Sequence, residues 1–169
     1  MNLLAPLAAL LLAGGLIPFI LLSRSKDQIV LPISSITSSA GQGTLGHMLL
    51  PLVSGAALGA IALYTTGYAL LGLIAFLLAC LLVFLHNTPL NIQKDNTLHL
   101  ALAFSCFACL STLVFFMPAS WILKILYIGF TLTYISLIAQ GNGWRAGGYQ
   151  RATLGAGIIS LIHGFTVLS

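Results

Sequence analysis

The chain has 169 residues, of which 5 % are Asp, Glu, Lys or Arg and 59 % are apolar, with a mean hydropathy of +1.10. Soluble domains carry roughly 25 % charged residues, so this composition excludes an ordinary soluble fold and leaves the bilayer as the solvent. The net charge of +4 is too small and too scattered for a nucleic-acid partner. In a membrane protein the basic residues report loop orientation and contact with anionic lipid instead.

A hydrocarbon core about 30 Å thick needs about 20 apolar residues per helix. Six such blocks fill the sequence and leave no room for a soluble domain. The expected fold is therefore all-α: a polytopic transmembrane six-helix bundle that forms one integral membrane domain over residues 1–169. The first predicted helix covers about 3–22. No basic residue precedes it, and Arg24 and Lys26 follow it, which is the pattern of an anchor with a positive flank rather than of a cleavable signal. A long link at 23–45 then runs through Ser34, Ser35 and other hydroxyl and glycine residues, and Thr44 is placed to cap the second helix, about 46–64. The tight turn Thr65-Thr66-Gly67 leads to the third helix, about 67–86. The fourth, about 97–117, and the fifth, about 120–139, join at Pro118-Ala119-Ser120, and the sixth covers about 150–168. Pro6, Pro18 and Pro51 fall within or near the ends of helices, where each can kink its helix.

The links alternate in length. The two short ones are hairpins; the long ones, 23–45, 87–96 and 140–149, all emerge on one face of a six-helix bundle, with both termini on the other. The long-link face collects Arg24, Lys26, Asp27, Lys94, Asp95, Arg145 and Arg151, together with His47, His86 and His99. Lys124, near Trp121, is the one charged side chain assigned to the opposite face. By the positive-inside rule the long-link face is cytoplasmic.

Several constellations follow. His47, His86 and His99 with Asp95 or Asp27 make a three-His-one-carboxylate set, a donor set that suits zinc or another divalent metal. Asp95 and His99 are i and i+4, so a helix turns them the same way; the same residues also read as a helix start, with Asp95, Asn96 or Thr97 as its cap. Arg145 and Arg151, with Ser34 and Ser35, are candidates for a lipid headgroup or partner contact, the arginines by their bidentate fork. His163 is an ionisable group within a span, which makes it a candidate proton-handling site or a structural side chain held by a hydroxyl or carbonyl. Gly55 and Gly59 form a GxxxG packing seam, either within the bundle or between copies. The three cysteines, Cys80, Cys106 and Cys109, lie in apolar blocks and read as small packing residues, not as a disulfide framework.

Three stretches carry a family resemblance: Pro32-Ile33-Ser34-Ser35 with the glycine-containing run after it; Asp95 to His99 with Ala101-Leu102-Ala103-Phe104; and Gly148-Tyr149-Gln150-Arg151. In these the chain resembles the prokaryotic six-helix membrane proteins of the domain of unknown function 998 type, distantly similar to Frag/DRAM-type proteins. The resemblance implies a six-helix bundle in a prokaryotic inner membrane, with a polar face around the first two long links. It implies no reaction, and eukaryotic members of the wider group place the first long link away from the cytosol, against the charge count.

The sequence thus favours a non-enzymatic accessory or lipid-contacting subunit, with membrane lipid and other membrane subunits as its partners. The competing readings are a metal-dependent membrane hydrolase built on the histidines and a small proton-coupled carrier using His163.

Overall fold

The computed structural model describes residues 3–22, 42–87, 97–141 and 147–169. These form six helices: α1 (Leu4–Leu22), α2 (Gln42–Thr65), α3 (Ala69–Asn87), α4 (Thr97–Phe116), α5 (Trp121–Ala139) and α6 (Gly147–Val167). No strand occurs among the described residues, so the expected all-helical class is observed. Two of the six, Thr97–Phe116 and Trp121–Ala139, are long and apolar enough to cross a membrane by length and composition. The apolar stretches of α1 to α3 that fall in the described set, Leu4–Ile17, Leu49–Thr65 and Ala69–Leu85, are shorter.

Two helix starts differ from expectation. α2 begins at Gln42 rather than near residue 46, which puts Thr44 inside the helix instead of at its cap. α6 begins at Gly147 rather than near Gln150. Glycines in a first turn are read from sequence as breakers. Here Gly147 is buried against the bundle, and packing offsets the entropy that its ordering costs. Pro51 lies within α2 without ending it. Pro6 falls in the first turn of α1, where its missing N–H would have had no intrahelical partner.

The α2–α3 hairpin turns on Gly67, whose φ of +89° is the left-handed conformation that glycine adopts freely. Tyr68 N–H donates to Leu63 C=O at 2.8 Å and Gly67 N–H to Tyr64 C=O at 3.3 Å, the paired bonds of a Schellman stop. Gly141, at φ +73°, ends α5 in a similar way.

The helices pack in a ring: α1 on α2, α2 on α3, α3 on α4, α4 on α6 and α6 back on α1, with α5 lying outside against α6. Small residues set these contacts. A Cβ on Gly72 would lie 2.8 Å from the Ala60 carbonyl oxygen, so α2 and α3 meet backbone to backbone at that level. Gly157 faces Leu110, and Gly164, seven residues on, faces Met117, seven residues on from Leu110; α4 and α6 therefore run parallel. Phe165, two residues from the end of α6, fills the space beside Gly59, six residues from the end of α2. Both hairpins and the end of α6 consequently share one end of the bundle. The starts of α2, α4 and α6 and the end of α3 share the other.

Burial runs against polarity. α6 has the most polar composition of the six helices and the most buried face, including Arg151, Thr153 and Ser160. α5 is strongly apolar, yet only 11 % of its span is buried. Large apolar side chains such as Phe116, Leu70 and Ile122 point outward, while Ala5, Ala8, Ala62 and Ala75 share the interior with Leu63, Leu113, Tyr127 and Phe165.

Candidate functional site

The polar groups inside the bundle belong mainly to α6 and to the α4–α5 pair. On α6, Thr153, Gly157, Ser160 and Gly164 repeat at i, i+4, i+7 and i+11, a stripe of small residues along one helix face. Gly157 lets α6 approach until a Cβ there would meet Leu110 at 2.9 Å and Tyr127 at 3.1 Å. Ser160 is fully buried and donates its hydroxyl to the Ala156 carbonyl at 2.8 Å. Thr153 is also fully buried, but its Oγ1 has no hydrogen-bond partner. Most other helical hydroxyls in the described set, including those of Ser105, Thr112 and Thr131, donate back to a carbonyl one turn earlier.

α4 and α5 are joined by side chains. The Tyr127 hydroxyl lies 2.7 Å from Ser111 Oγ, and the Phe107 and Tyr127 rings stack at 6.2 Å. Lys124 donates from Nζ to the Phe115 carbonyl at 2.8 Å and sits 5.0 Å from the Trp121 ring centroid. Such interhelical polar contacts are worth about 0.6 kcal/mol on average in a membrane interior.

The helix directions bring residues 47, 86, 99 and 151 to the end of the bundle opposite the hairpins. Of the proposed metal set, only His99 has a described side chain; it is half-buried, near the start of α4. His47 and His86 lie on described helix backbone with side chains outside the described set, and Asp27 and Asp95 lie outside the described residues altogether. Among the described residues no three His, Cys, Asp or Glu side chains cluster as metal ligands do. The proposed headgroup residues Ser34, Ser35 and Arg145 are likewise outside the described residues. Arg151, the fourth of that set, is 7 % exposed, so its guanidinium is turned into the bundle end rather than spread on its surface.

His163 lies in the last turns of α6, at the hairpin end, half-buried. Twelve residues separate it from Arg151, about 18 Å along the helix axis. Its Nδ1 is buried and has no hydrogen-bond partner.

The GxxxG glycines face the interior of this same bundle. A Cβ on Gly55 would lie 2.8 Å from Leu12 of α1, and one on Gly59 would overlap the Phe165 ring of α6. Cys106 and Cys109 are buried and Cys80 half-buried, all as free thiols. Thr153 and the Ser111–Tyr127 pair were not singled out by the sequence. The i, i+4, i+7 repeat of small residues from Thr153 was the available signal for the first; nothing local marks the second.

No family model, no curated protein and no solved structure matches this chain.

Proposed function

We propose that this chain is a six-span membrane bundle that acts as a non-catalytic accessory or lipid-contacting subunit. The observation that carries the reading is the reversal of burial: α5, an apolar helix of membrane-spanning length, has 11 % of its span buried. The core helix of a soluble protein has the opposite pattern, because large exposed apolar surface in water is strongly unfavourable. The interior combines many alanines and close-approach glycines with Leu, Tyr127 and Phe165, under an outer layer rich in Leu, Ile and Phe, and small residues at helix contacts are how helices associate when the solvent is lipid.

In this reading all six helices span, the end that carries residues 47, 86, 99 and 151 is cytoplasmic, and the membrane is a prokaryotic inner membrane. The resemblance to the six-helix family of unknown function belongs to the same proposal. The polar end, with Arg145, Arg151, Ser34 and Ser35, supplies contacts to a headgroup or to another membrane subunit. Alkaline carbonate extraction of membranes from expressing cells tests it. The chain is expected to stay in the membrane pellet; release into the soluble fraction overturns the membrane reading and with it the accessory role.

A further inference from the structure

The two hairpins that share one end of the bundle carry exposed amphipathic rings. Tyr64 stands in the last turn of α2, Tyr68 directly before α3, and Trp121 opens α5. They are 70 %, 42 % and 76 % exposed. Of the four exposed Tyr and Trp side chains among the described residues, these are three; the fourth, Tyr149, belongs to the first turn of α6, at the other end. Neither tyrosine hydroxyl nor the indole N–H is hydrogen-bonded among the described residues. Each ring thus presents an apolar body and an unused polar tip to its surroundings.

Neither bulk phase satisfies both parts. Hydrocarbon solvates the ring but leaves the O–H or N–H unpaired. Water hydrates the tip but leaves the apolar ring exposed. The headgroup boundary of a bilayer offers acyl chain to the body of the ring and oxygen acceptors to its tip, and Tyr and Trp collect there for that reason. The surfaces on the mid-helix side of the rings agree. One and two turns deeper the exposed side chains are apolar: Ile61 on α2, Leu70 and Leu73 on α3, Ile122 and Ile125 on α5.

We propose that Tyr64, Tyr68 and Trp121 form a lipid-interface collar that holds both hairpin turns at the boundary between acyl chains and ester carbonyls. It is a second lipid-contacting surface, at the end of the bundle opposite residues 47, 86, 99 and 151. The inference rests on the membrane reading above and adds the depth at which the bilayer meets the hairpin end. Lys124, three residues beyond Trp121, then lies about 4.5 Å beneath that boundary along the axis of α5. The Phe115 carbonyl, 2.8 Å from its Nζ, supplies an acceptor at that depth.

The test uses the full chain in phosphatidylcholine vesicles whose acyl chains carry bromine near the carbonyl, midway, or near the chain end. Trp144→Phe leaves Trp121 as the single tryptophan. Adding Trp121→Phe together with Tyr64→Trp, Tyr68→Trp or Phe76→Trp moves the reporter. Phe76 is exposed on α3, about 12 Å from Tyr68 along the axis, and reads the acyl-chain region. Reporters at 64, 68 and 121 are expected to be quenched most by bromine near the carbonyl and least by bromine near the chain end. The reporter at 76 is expected to show the reverse order.

Strongest quenching by chain-end bromine at the hairpin positions overturns the collar, because that end then lies within the hydrocarbon. A shallow order at one hairpin and not at the other overturns the shared boundary. Quenching at 76 with none at 64, 68 and 121 also overturns the collar: the hairpin end then projects into water, and the membrane reading stands. Absence of quenching at all four positions instead refutes the membrane reading.

Discussion

Gly155 and Gly157 sit two residues apart on α6 and offer a controlled test of how the bundle packs. A Cβ at Gly155 would meet nothing within 4 Å. A Cβ at Gly157 would lie 2.9 Å from Leu110 Cδ2, 3.1 Å from Leu110 Cγ and 3.1 Å from Tyr127 Cε2, pressed between α4 and α5 at once. Alanine gains about 1 kcal/mol of helix propensity over glycine at either position. At Gly155 nothing opposes that gain, so Gly155→Ala is expected to stabilise by up to about 1 kcal/mol. At Gly157 the added methyl must move two large side chains, an overpacking cost of about 1–3 kcal/mol. Gly157→Ala is therefore expected to lie between neutral and about 2 kcal/mol less stable. The gap between the two variants, about 1–3 kcal/mol, corresponds to roughly a 5- to 150-fold difference in the unfolding equilibrium constant. Reversible unfolding in mixed micelles of rising dodecyl sulfate fraction, followed by near-UV circular dichroism, measures it. Propensity is common to both substitutions and cancels, so equal stability of the two variants would refute the α4–α6 contact.

Three further outcomes are expected. Tyr127→Phe removes the bond to Ser111 while Ser111 keeps its bond to the Phe107 carbonyl at 2.8 Å, so the loss should be about 0.5–1.5 kcal/mol and should not add to that of Ser111→Ala in a double-mutant cycle. Thr153→Val keeps the shape and deletes a buried hydroxyl that has no partner, so it should raise stability by about 1 kcal/mol in the same micelle titration; a loss would show that the hydroxyl is bonded in the membrane. Metal analysis of protein purified without chelator should give the same low content for the wild type and for His99→Ala; about one divalent ion per chain, lost in the variant, would replace the accessory reading with the hydrolase.

What the sequence shows and hides has a physical division. Helix number and the two hairpins are legible because lipid-scale apolar blocks and a turn glycine are local signals: Thr65-Thr66-Gly67 marks the stop that the Tyr68 to Leu63 hydrogen bond completes. The start of α6 is not, because Gly147 breaks a helix in isolation and is tolerated only where packing holds it. Gly55 and Gly59 are legible as small-residue positions. That Gly55 receives Leu12 from α1 while Gly59 receives Phe165 from α6 depends on which helices become neighbours, and no local pattern states that. Lys124 is visible in sequence only as a lone charge; its burial and its bond across to α4 arise from the α4–α5 hairpin.

The position of α6 constrains what any chemistry in this chain can use. Arg151 and His163 stand near opposite ends of this helix, about 18 Å apart along the axis. Between them the buried face carries Thr153, Ala156, Gly157, Ile158, Ser160 and Leu161, and of its two hydroxyls only that of Thr153 is unbonded. The Gly157 surface is filled by Leu110 and Tyr127, and the Ser160 hydroxyl is already bonded to its own helix. A proton or solute moving from the Arg151 end to His163 along this face would have to part α4 from α6, where the side chains are in van der Waals contact. Close-packed interiors resist such separation unless the bundle has a second arrangement of its helices. Passage to His163 along this face therefore demands a concerted shift of α6 that removes Met117 from Gly164 and Phe165 from Gly59 together. The proposed lipid-contacting role demands no such motion, because it uses the ends of the bundle as they stand.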